Sequence, residues 1–157
     1  MSGKSKSTLY IAIAIVLIVV IIGGVLAYYF SNQNNGGPGG GTHIDLYAGE
    51  SPYGFGTTSS SITSPAPTLT FTSGQIYTVT LHNVGAMPHN FAIVTAKTDG
   101  NTNLAFSNAQ IGSGANPVAP GGSASVTFTA GSAGSYYYIC QVGGHVSLGM
   151  WGTVTVS

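Results

Sequence analysis

Residues 134–152 read G-S-Y-Y-Y-I-C-Q-V-G-G-H-V-S-L-G-M-W-G, a β-type run followed by a glycine-rich loop and the start of a second β-type run. Side chains alternate between the two faces of a strand, so Cys140 is predicted to share its face with Tyr136 and Tyr138. The intervening residues then face the opposite way. This stretch therefore predicts a β domain in which Cys140 lies where a strand ends and a loop begins.

The chain after residue 42 is predicted to form short strands of this kind. Apolar residues recur at every second position, in runs bounded by Gly, Pro, Asn and Ser, as in sandwiches and barrels. The periodicity predicts seven strands, at residues 43–48, 69–71, 75–83, 89–95, 123–129, 135–141 and 150–156. Seven strands suffice for an immunoglobulin-like sandwich, and two stacked antiparallel sheets are the simplest way to bury their apolar faces.

Residues 97–122 interrupt this rhythm because they are rich in Asn, Ser, Gly and Pro. A short helical turn is expected around residues 105–111. The remainder of the segment is interpreted as an insertion between two strands, and the sequence by itself indicates no role for it.

The N-terminal part predicts a membrane anchor. Residues 9–30 carry no charge and are rich in Ile, Val, Leu and Ala, and as a helix they would span ~33 Å against a hydrocarbon core of about 30 Å. A signal peptide has a shorter apolar core and a small-residue cleavage site, whereas this run ends in aromatic residues. Lys4 and Lys6 precede it, so residues 1–8 are predicted to be cytoplasmic and the rest extracytoplasmic.

Composition limits what the remaining chain can be. Residues 31–42 read SNQNNGGPGGGT and predict a flexible tether, which leaves residues 43–157 as one domain of ordinary size. The formal net charge is +0, from three Lys+Arg and three Asp+Glu, so there is no basic surface to bind the phosphates of nucleic acid. Cys140 is the single cysteine, and no disulfide can form within the chain.

Four residues at predicted strand ends form a candidate metal site. Cys140, His145 and Met150 follow one another within the C-terminal loop, and His89 begins an upstream strand that a sandwich can bring beside it. Two His and one Cys in a plane, with a distant axial Met, is the arrangement of blue copper electron-transfer sites. Structural zinc sites prefer several thiolates or a closed Cys and His set, and rarely use a thioether. The ligand types therefore favour copper over zinc.

Each of these residues also has an ordinary structural interpretation. A single buried Cys usually behaves as a small hydrophobe, and a single Met usually fills a gap in the core. The axial position has two candidates, Met150 and Met87, because Met87 lies two residues before His89. His43 and His82 are interpreted as solvent-facing side chains without a metal.

The sequence resembles the cupredoxins, and most closely the archaeal sulfocyanins. The resemblance rests on the run at 134–152, with its C-x4-H-x4-M spacing and M-W-G exit, and on M-P-H-N-F at 87–91. It covers roughly residues 45–157 and the predicted anchor, although Gly143 stands where a Pro is commoner. The rusticyanins are similar in ligand spacing but lack this kind of anchor.

The resemblance implies an all-β fold: a cupredoxin Greek-key β-sandwich of seven to eight strands, preceded by one transmembrane helix. It implies one type 1 copper ion and the transfer of single electrons in a respiratory chain, between a donor such as a cytochrome complex and a terminal oxidase. It also implies that Asn90 hydrogen-bonds near the ligand loop and orients the ligands. The neutral loop 143–149 predicts an apolar patch around the edge of His145, where a redox partner would dock.

Two other classes of function are compatible with the same residues. A Cys with a His can act as nucleophile and base, and copper oxidases contain similar domains. However, no carboxylate accompanies the pair in the sequence, one short domain cannot hold further copper ions, and a dinuclear site would need a second cysteine. The other class is an anchored domain that stores or senses copper, which must release the ion.

Overall fold

The computed structural model describes residues 41–157, so the predicted anchor at residues 9–30 and most of the tether lie outside the described residues. Within residues 41–157 no helix is long and apolar enough to span a bilayer. This part of the chain forms nine strands: β1 (Thr42–Glu50), β2 (Tyr53–Gly56), β3 (Ala66–Phe71), β4 (Ile76–Asn83), β5 (Phe91–Val94), β6 (Gln110–Ile111), β7 (Ser123–Thr129), β8 (Gly134–Ile139) and β9 (Trp151–Val156).

The strands form two sheets, one in the order β2-β1-β4-β7 and the other in the order β3-β9-β8-β5-β6. The pairs β1 with β4 and β3 with β9 are parallel, and the other pairs are antiparallel. The predicted Greek-key sandwich is confirmed. The expectation of two antiparallel sheets is wrong at two pairs, because the chain crosses to the other sheet between β1 and β4 and between β3 and β9 and returns in the same direction.

The two strands that the periodicity does not predict are both short. Strand β2 has four residues, two of them glycines, and β6 has two residues. The helical turn expected around residues 105–111 is also wrong. In its place, the amide of Ala105 donates to the carbonyl of Ile93 at 2.8 Å, and the amide of Ile93 donates to the carbonyl of Ala109 at 2.9 Å. Asn108 has a positive φ of 61°, outside the right-handed helical region, and Gln110 and Ile111 pair with β5 as a strand, so no helical turn forms here.

The core lies between the sheets and follows the predicted alternation along β8. Tyr138 is fully buried in the main cluster, beside the rings of Phe55 and Phe91, and Cys140 belongs to the same cluster. Tyr137 and Ile139 face the other way, into a smaller cluster with residues of β5. Cys140 is thus held on the inner face, where water has no access.

The outer face of the first sheet carries cross-strand pairs of hydroxyl groups. The side-chain oxygens of Thr78 and Thr127 lie 2.8 Å apart, and those of Thr80 and Ser125 lie 2.7 Å apart. Cross-strand hydroxyl pairs of this kind stabilise a sheet without adding charge. Apart from Asp45 with its partners His43 and His82, this face is polar but uncharged.

Gly152 in β9 provides the space that the Tyr138 ring occupies. A Cβ at this position would overlap the ring, and the ring is fixed because its hydroxyl donates to the carbonyl of Pro67 at 2.6 Å. We predict that Gly152→Ala lowers the free energy of unfolding by about 1–3 kcal/mol, as overpacked cores do. Denaturant unfolding of the metal-free protein measures this change.

The control is Gly143→Ala, since a Cβ at Gly143 meets no atom within 4 Å. Equal free energies of unfolding for the two variants would contradict the prediction. They would show that the close packing of the Tyr138 ring against β9 does not determine the stability of the fold.

Candidate metal centre

The candidate ligands of the C-terminal loop are positioned by the pairing of β8 with β9. Cys140 follows the last residue of β8, and its amide donates to the carbonyl of Met150 at 3.1 Å. The amide of Met150 in turn donates to the carbonyl of His145 at 2.9 Å. One hydrogen bond thus joins the two ends of the loop, and the other joins its end to His145 within it. Together they fix the backbone of three candidate ligands.

The structure brings His89 to this loop. The Cys140 Sγ lies 3.4 Å from Nδ1 of His145 and 3.9 Å from Nδ1 of His89, and the three donor atoms all lie within 4.8 Å of one another. All three side chains are buried, and the neighbouring Met150 is fully buried as well. Two imidazoles, a thiol and a thioether fit copper, whose blue sites use this donor set. The site is that of a type 1 copper protein.

Burial sets the protonation of the metal-free site. It raises the pKa of the Cys140 thiol, although hydrogen bonds from the amides of Asn90 and Val142 oppose the rise. Burial likewise lowers the pKa values of His89 and His145, so both rings are held neutral. Neutral imidazoles are ready to bind a metal, whereas the thiol must lose its proton when copper binds.

The two candidate axial residues differ in their surroundings. Met150 is buried beside Cys140 and His145 through the backbone contacts described above. Met87 is 41% exposed, and its sulfur accepts a hydrogen bond from the hydroxyl of Tyr53 at 3.0 Å. These positions favour Met150 over Met87.

The apolar patch expected around the edge of His145 is not formed by that ring. His145 is only 3% exposed, and the ring of Tyr53 packs edge-on against it with the centroids 5.2 Å apart. The exposed apolar side chains near the ligands in sequence are instead Val84, Met87 and Leu148. Leu148 belongs to the loop for which the patch was expected, whereas the His145 edge itself is covered by Tyr53 of β2.

Asn90 links the two ligand-bearing segments. Its backbone amide donates to Sγ of Cys140 at 3.4 Å, its side-chain oxygen accepts from the amide of Gln141 at 2.6 Å, and its side-chain nitrogen donates to the Gln141 side chain at 2.8 Å. Asn90 is fully buried, so these bonds are shielded from water. The contacts support the orienting role that was predicted for it.

The segment that the sequence left without a role also holds the ligand loop. The Asp99 carboxylate accepts from the amides of Val146 at 2.9 Å and Ser147 at 3.3 Å, and from the Ser147 hydroxyl. The Asn101 carbonyl accepts from the Gln141 side chain at 2.8 Å. No spacing or motif in the sequence predicts these contacts, because they join residues that are far apart in the chain.

Two carboxylates therefore lie at the ligand segments, although the sequence places none beside the Cys and His pair. Asp99 contacts the loop just after His145, and Glu50 contacts the ring of His89 at 2.8 Å. By contrast, His43 and His82 contact only the exposed Asp45 among the carboxylates, and neither belongs to the buried group of His89, Cys140 and His145.

We predict that Asp99→Asn loosens the ligand loop. Loss of a hydrogen bond costs about 0.5–1.5 kcal/mol, so amide-exchange protection of Val146 and Ser147 should fall about two- to tenfold at neutral pH. Hydrogen bonds from Ser147, outweighing burial, lower the pKa of Asp99, so its stabilisation is present above the unfolded-state pKa and is lost as pH falls through the lower folded-state value. The difference between wild type and variant should therefore shrink in acid.

The control for this measurement is Asp45→Asn, which removes the same charge from the exposed sheet face. Unchanged protection of Val146 and Ser147 in Asp99→Asn, or equal loss in both variants, would contradict the proposed clamp.

Comparison with known proteins agrees with this site. The family model described as copper binding proteins, plastocyanin/azurin family, matches residues 56–157. No curated protein sequence matches the chain significantly.

Solved structures give the same fold. Auracyanin from Roseiflexus castenholzii has 26% identity and a TM-score of 0.57, over 74% of this chain and 97% of that chain. Rusticyanin from Thiobacillus ferrooxidans has 24% identity and a TM-score of 0.56, over 74% and 79%. A blue copper oxidase from Nitrosomonas europaea has 21% identity and a TM-score of 0.55, over 74% of this chain but 38% of the oxidase. The last two show the fold alone.

These matches confirm the predicted cupredoxin, while the closer likeness to sulfocyanins stays a prediction. With the family match over residues 56–157 and a buried site of two His and one Cys with Met150 beside it, this chain belongs to the plastocyanin/azurin family of copper-binding proteins, the cupredoxins.

Proposed function

We propose that this protein is a membrane-anchored electron carrier. Its single type 1 copper would be held by His89, Cys140, His145 and Met150, and residues 9–30 would anchor the domain on the outer side of the cell membrane. The observation that carries the proposal is the convergence of three buried donor atoms within 4.8 Å of one another, from two separate strand ends. Bound copper would supply a one-electron couple between Cu(II) and Cu(I).

The chain's own residues do what an electron carrier requires. The backbone bonds between Cys140, His145 and Met150 fix the loop, and Asn90 fixes the upstream segment against it. Because the ligands are held rigidly, their positions would change little between the two oxidation states of copper, which favours electron transfer. Burial of the whole set excludes water and disfavours the more highly charged oxidised state, because desolvating charge costs free energy.

A copper oxidase is the first alternative, since domains of this fold occur in oxidases. The chain spans 38% of the blue copper oxidase that it matches but 97% of auracyanin. Among the described residues, only one group of at least three His, Cys, Asp or Glu side chains could hold a metal. Both observations favour a carrier over an enzyme.

A copper store or sensor is the second alternative. Such a protein must release its ion readily, which is easiest from exposed ligands. Here His89 and Cys140 are fully buried, and Tyr53 packs against His145. The burial favours retention of the metal through repeated redox cycles.

The respiratory role and the anchor extend this proposal. They are supported by the uncharged apolar run at residues 9–30, preceded by Lys4 and Lys6, and by the resemblance to sulfocyanins. We propose a cytochrome complex as donor and a terminal oxidase as acceptor. With so few charges, docking would rely on exposed apolar side chains such as Leu148, and the rate of electron transfer would depend only weakly on salt.

The test is to purify the full chain in detergent, load it with Cu(II), and record its visible absorption and electron paramagnetic resonance spectra. We predict an intense thiolate-to-copper band with small hyperfine splitting, which Cys140→Ser abolishes because the thiolate is lost. The protein should also pass through repeated reduction and oxidation without losing copper.

Matched variants separate the two methionines: Met150→Leu should change the spectrum and the potential, whereas Met87→Leu should change neither. A colourless protein, or a spectrum that survives Cys140→Ser, would overturn the ligand set. Loss of copper on each reduction would favour the store.

A further inference from the structure

The sequence contains three carboxylates, Asp45, Glu50 and Asp99, and Glu50 is the one that touches a candidate copper ligand. It lies at the end of β1, and its side chain is 19% exposed. Its Oε1 accepts from the amide of Met87 at 2.7 Å and lies 2.8 Å from Nε2 of His89. In a chain with so few charges, a carboxylate in this position calls for a specific explanation.

The surrounding backbone holds this carboxylate in place. The amide of Ala86 donates to its second oxygen at 3.0 Å, and the absence of a side chain at Gly85 leaves the space that the carboxylate fills. Asn83 holds the same turn from the other side, donating to the carbonyl of Met87 at 2.8 Å and accepting from the amide of Gly85 at 3.0 Å. The turn before His89 is thus built around Glu50.

The contact determines which nitrogen of His89 carries the proton. Both carboxylate oxygens of Glu50 accept hydrogen bonds from backbone amides, Oε1 from Met87 and Oε2 from Ala86, so this geometry uses the group as an acceptor. An ionised carboxylate only accepts hydrogen bonds, and a neutral imidazole has one donor and one acceptor nitrogen. Nε2 of His89 is therefore the donor, and the free lone pair is on Nδ1, which faces Cys140 at 3.9 Å.

We propose that Glu50 is a positioning residue of the copper site, which fixes the His89 tautomer and lowers the reduction potential of the site. This inference rests on the proposed function, because it assigns a role towards copper. Cu(II) carries one more positive charge than Cu(I), and a fixed anion beside a ligand ring favours the more positive state. Glu50 would thus oppose the rise in potential that apolar burial causes.

The chain offers a matched control in Asp45. Its carboxylate also contacts imidazoles, at 2.7 Å from His82 and 3.4 Å from His43, but its side chain is 47% exposed and neither ring belongs to the buried cluster. Asp45→Asn therefore removes the same charge and the same kind of contact without touching the copper site. A response common to both variants would be an effect of net charge.

The experiment uses the full chain in detergent as wild type, Glu50→Gln and Asp45→Asn. The glutamine keeps the shape of the side chain but removes the charge and one acceptor oxygen. In the copper-loaded proteins we expect the midpoint potential of Glu50→Gln to rise, the blue band to persist, and the potential of Asp45→Asn to stay at the wild-type value. An unchanged potential in Glu50→Gln, or an equal shift in both variants, overturns the proposal.

A second measurement needs no copper. Nitrogen-15 NMR of the metal-free wild type should show the His89 proton on Nε2, and in Glu50→Gln this preference should weaken. A proton on Nδ1 in the wild type overturns the proposal even where the variant fails to fold. If the wild type forms no blue site, the proposed function fails, while the NMR result still decides whether Glu50 sets the tautomer.

Discussion

The antiparallel pairing of β8 with β9 is the constraint on which the copper site depends. It buries Cys140 at the end of one strand and Met150 at the start of the next, and the bond from the Cys140 amide to the Met150 carbonyl closes the loop between them. His145 is then fixed within a short loop that has little freedom. Only one candidate ligand, His89, has to be supplied from elsewhere in the fold. It lies two residues before β5, which pairs with β8.

The chain has few charges, and most of its carboxylates lie near the site. The outer sheet face is built from hydroxyl pairs such as Thr78 with Thr127, whereas two of the three carboxylates hold ligand-bearing segments. Neutral hydroxyls do not titrate, and the titratable groups of this face are confined to Asp45 and its partners His43 and His82. The other two carboxylates lie where they can influence copper, since Glu50 contacts a ligand ring and Asp99 holds the loop that carries another.

Local patterns were sufficient to predict much of the fold and the candidate ligands. The alternation at Tyr136, Tyr138 and Cys140 predicts the buried face of β8, and the spacing to His145 and Met150 places three candidate ligands in one loop. These features depend on residues close in sequence. Strand β2 is too short to produce a periodic signal, and so the covering of His145 by Tyr53 was missed.

Long-range contacts explain the other failures. Glu50 and His89 are brought together by the path of β1 and the turn before β5, and Asp99 reaches the ligand loop from an insertion with no regular pattern. The contact partner of an isolated carboxylate, whether an imidazole ring or a backbone amide, cannot be predicted from the residues around it in sequence. Such contacts depend on the register of whole strands, which a single sequence does not specify.

X-ray absorption at the copper edge tests the central claim most directly, because it reports the atoms around the metal in both oxidation states. The account predicts one short copper–sulfur bond and two nitrogen ligands in the oxidised protein, with almost the same distances after reduction. A site without the short sulfur bond, or one whose ligands change on reduction, would contradict a rigid carrier built on Cys140, His89 and His145.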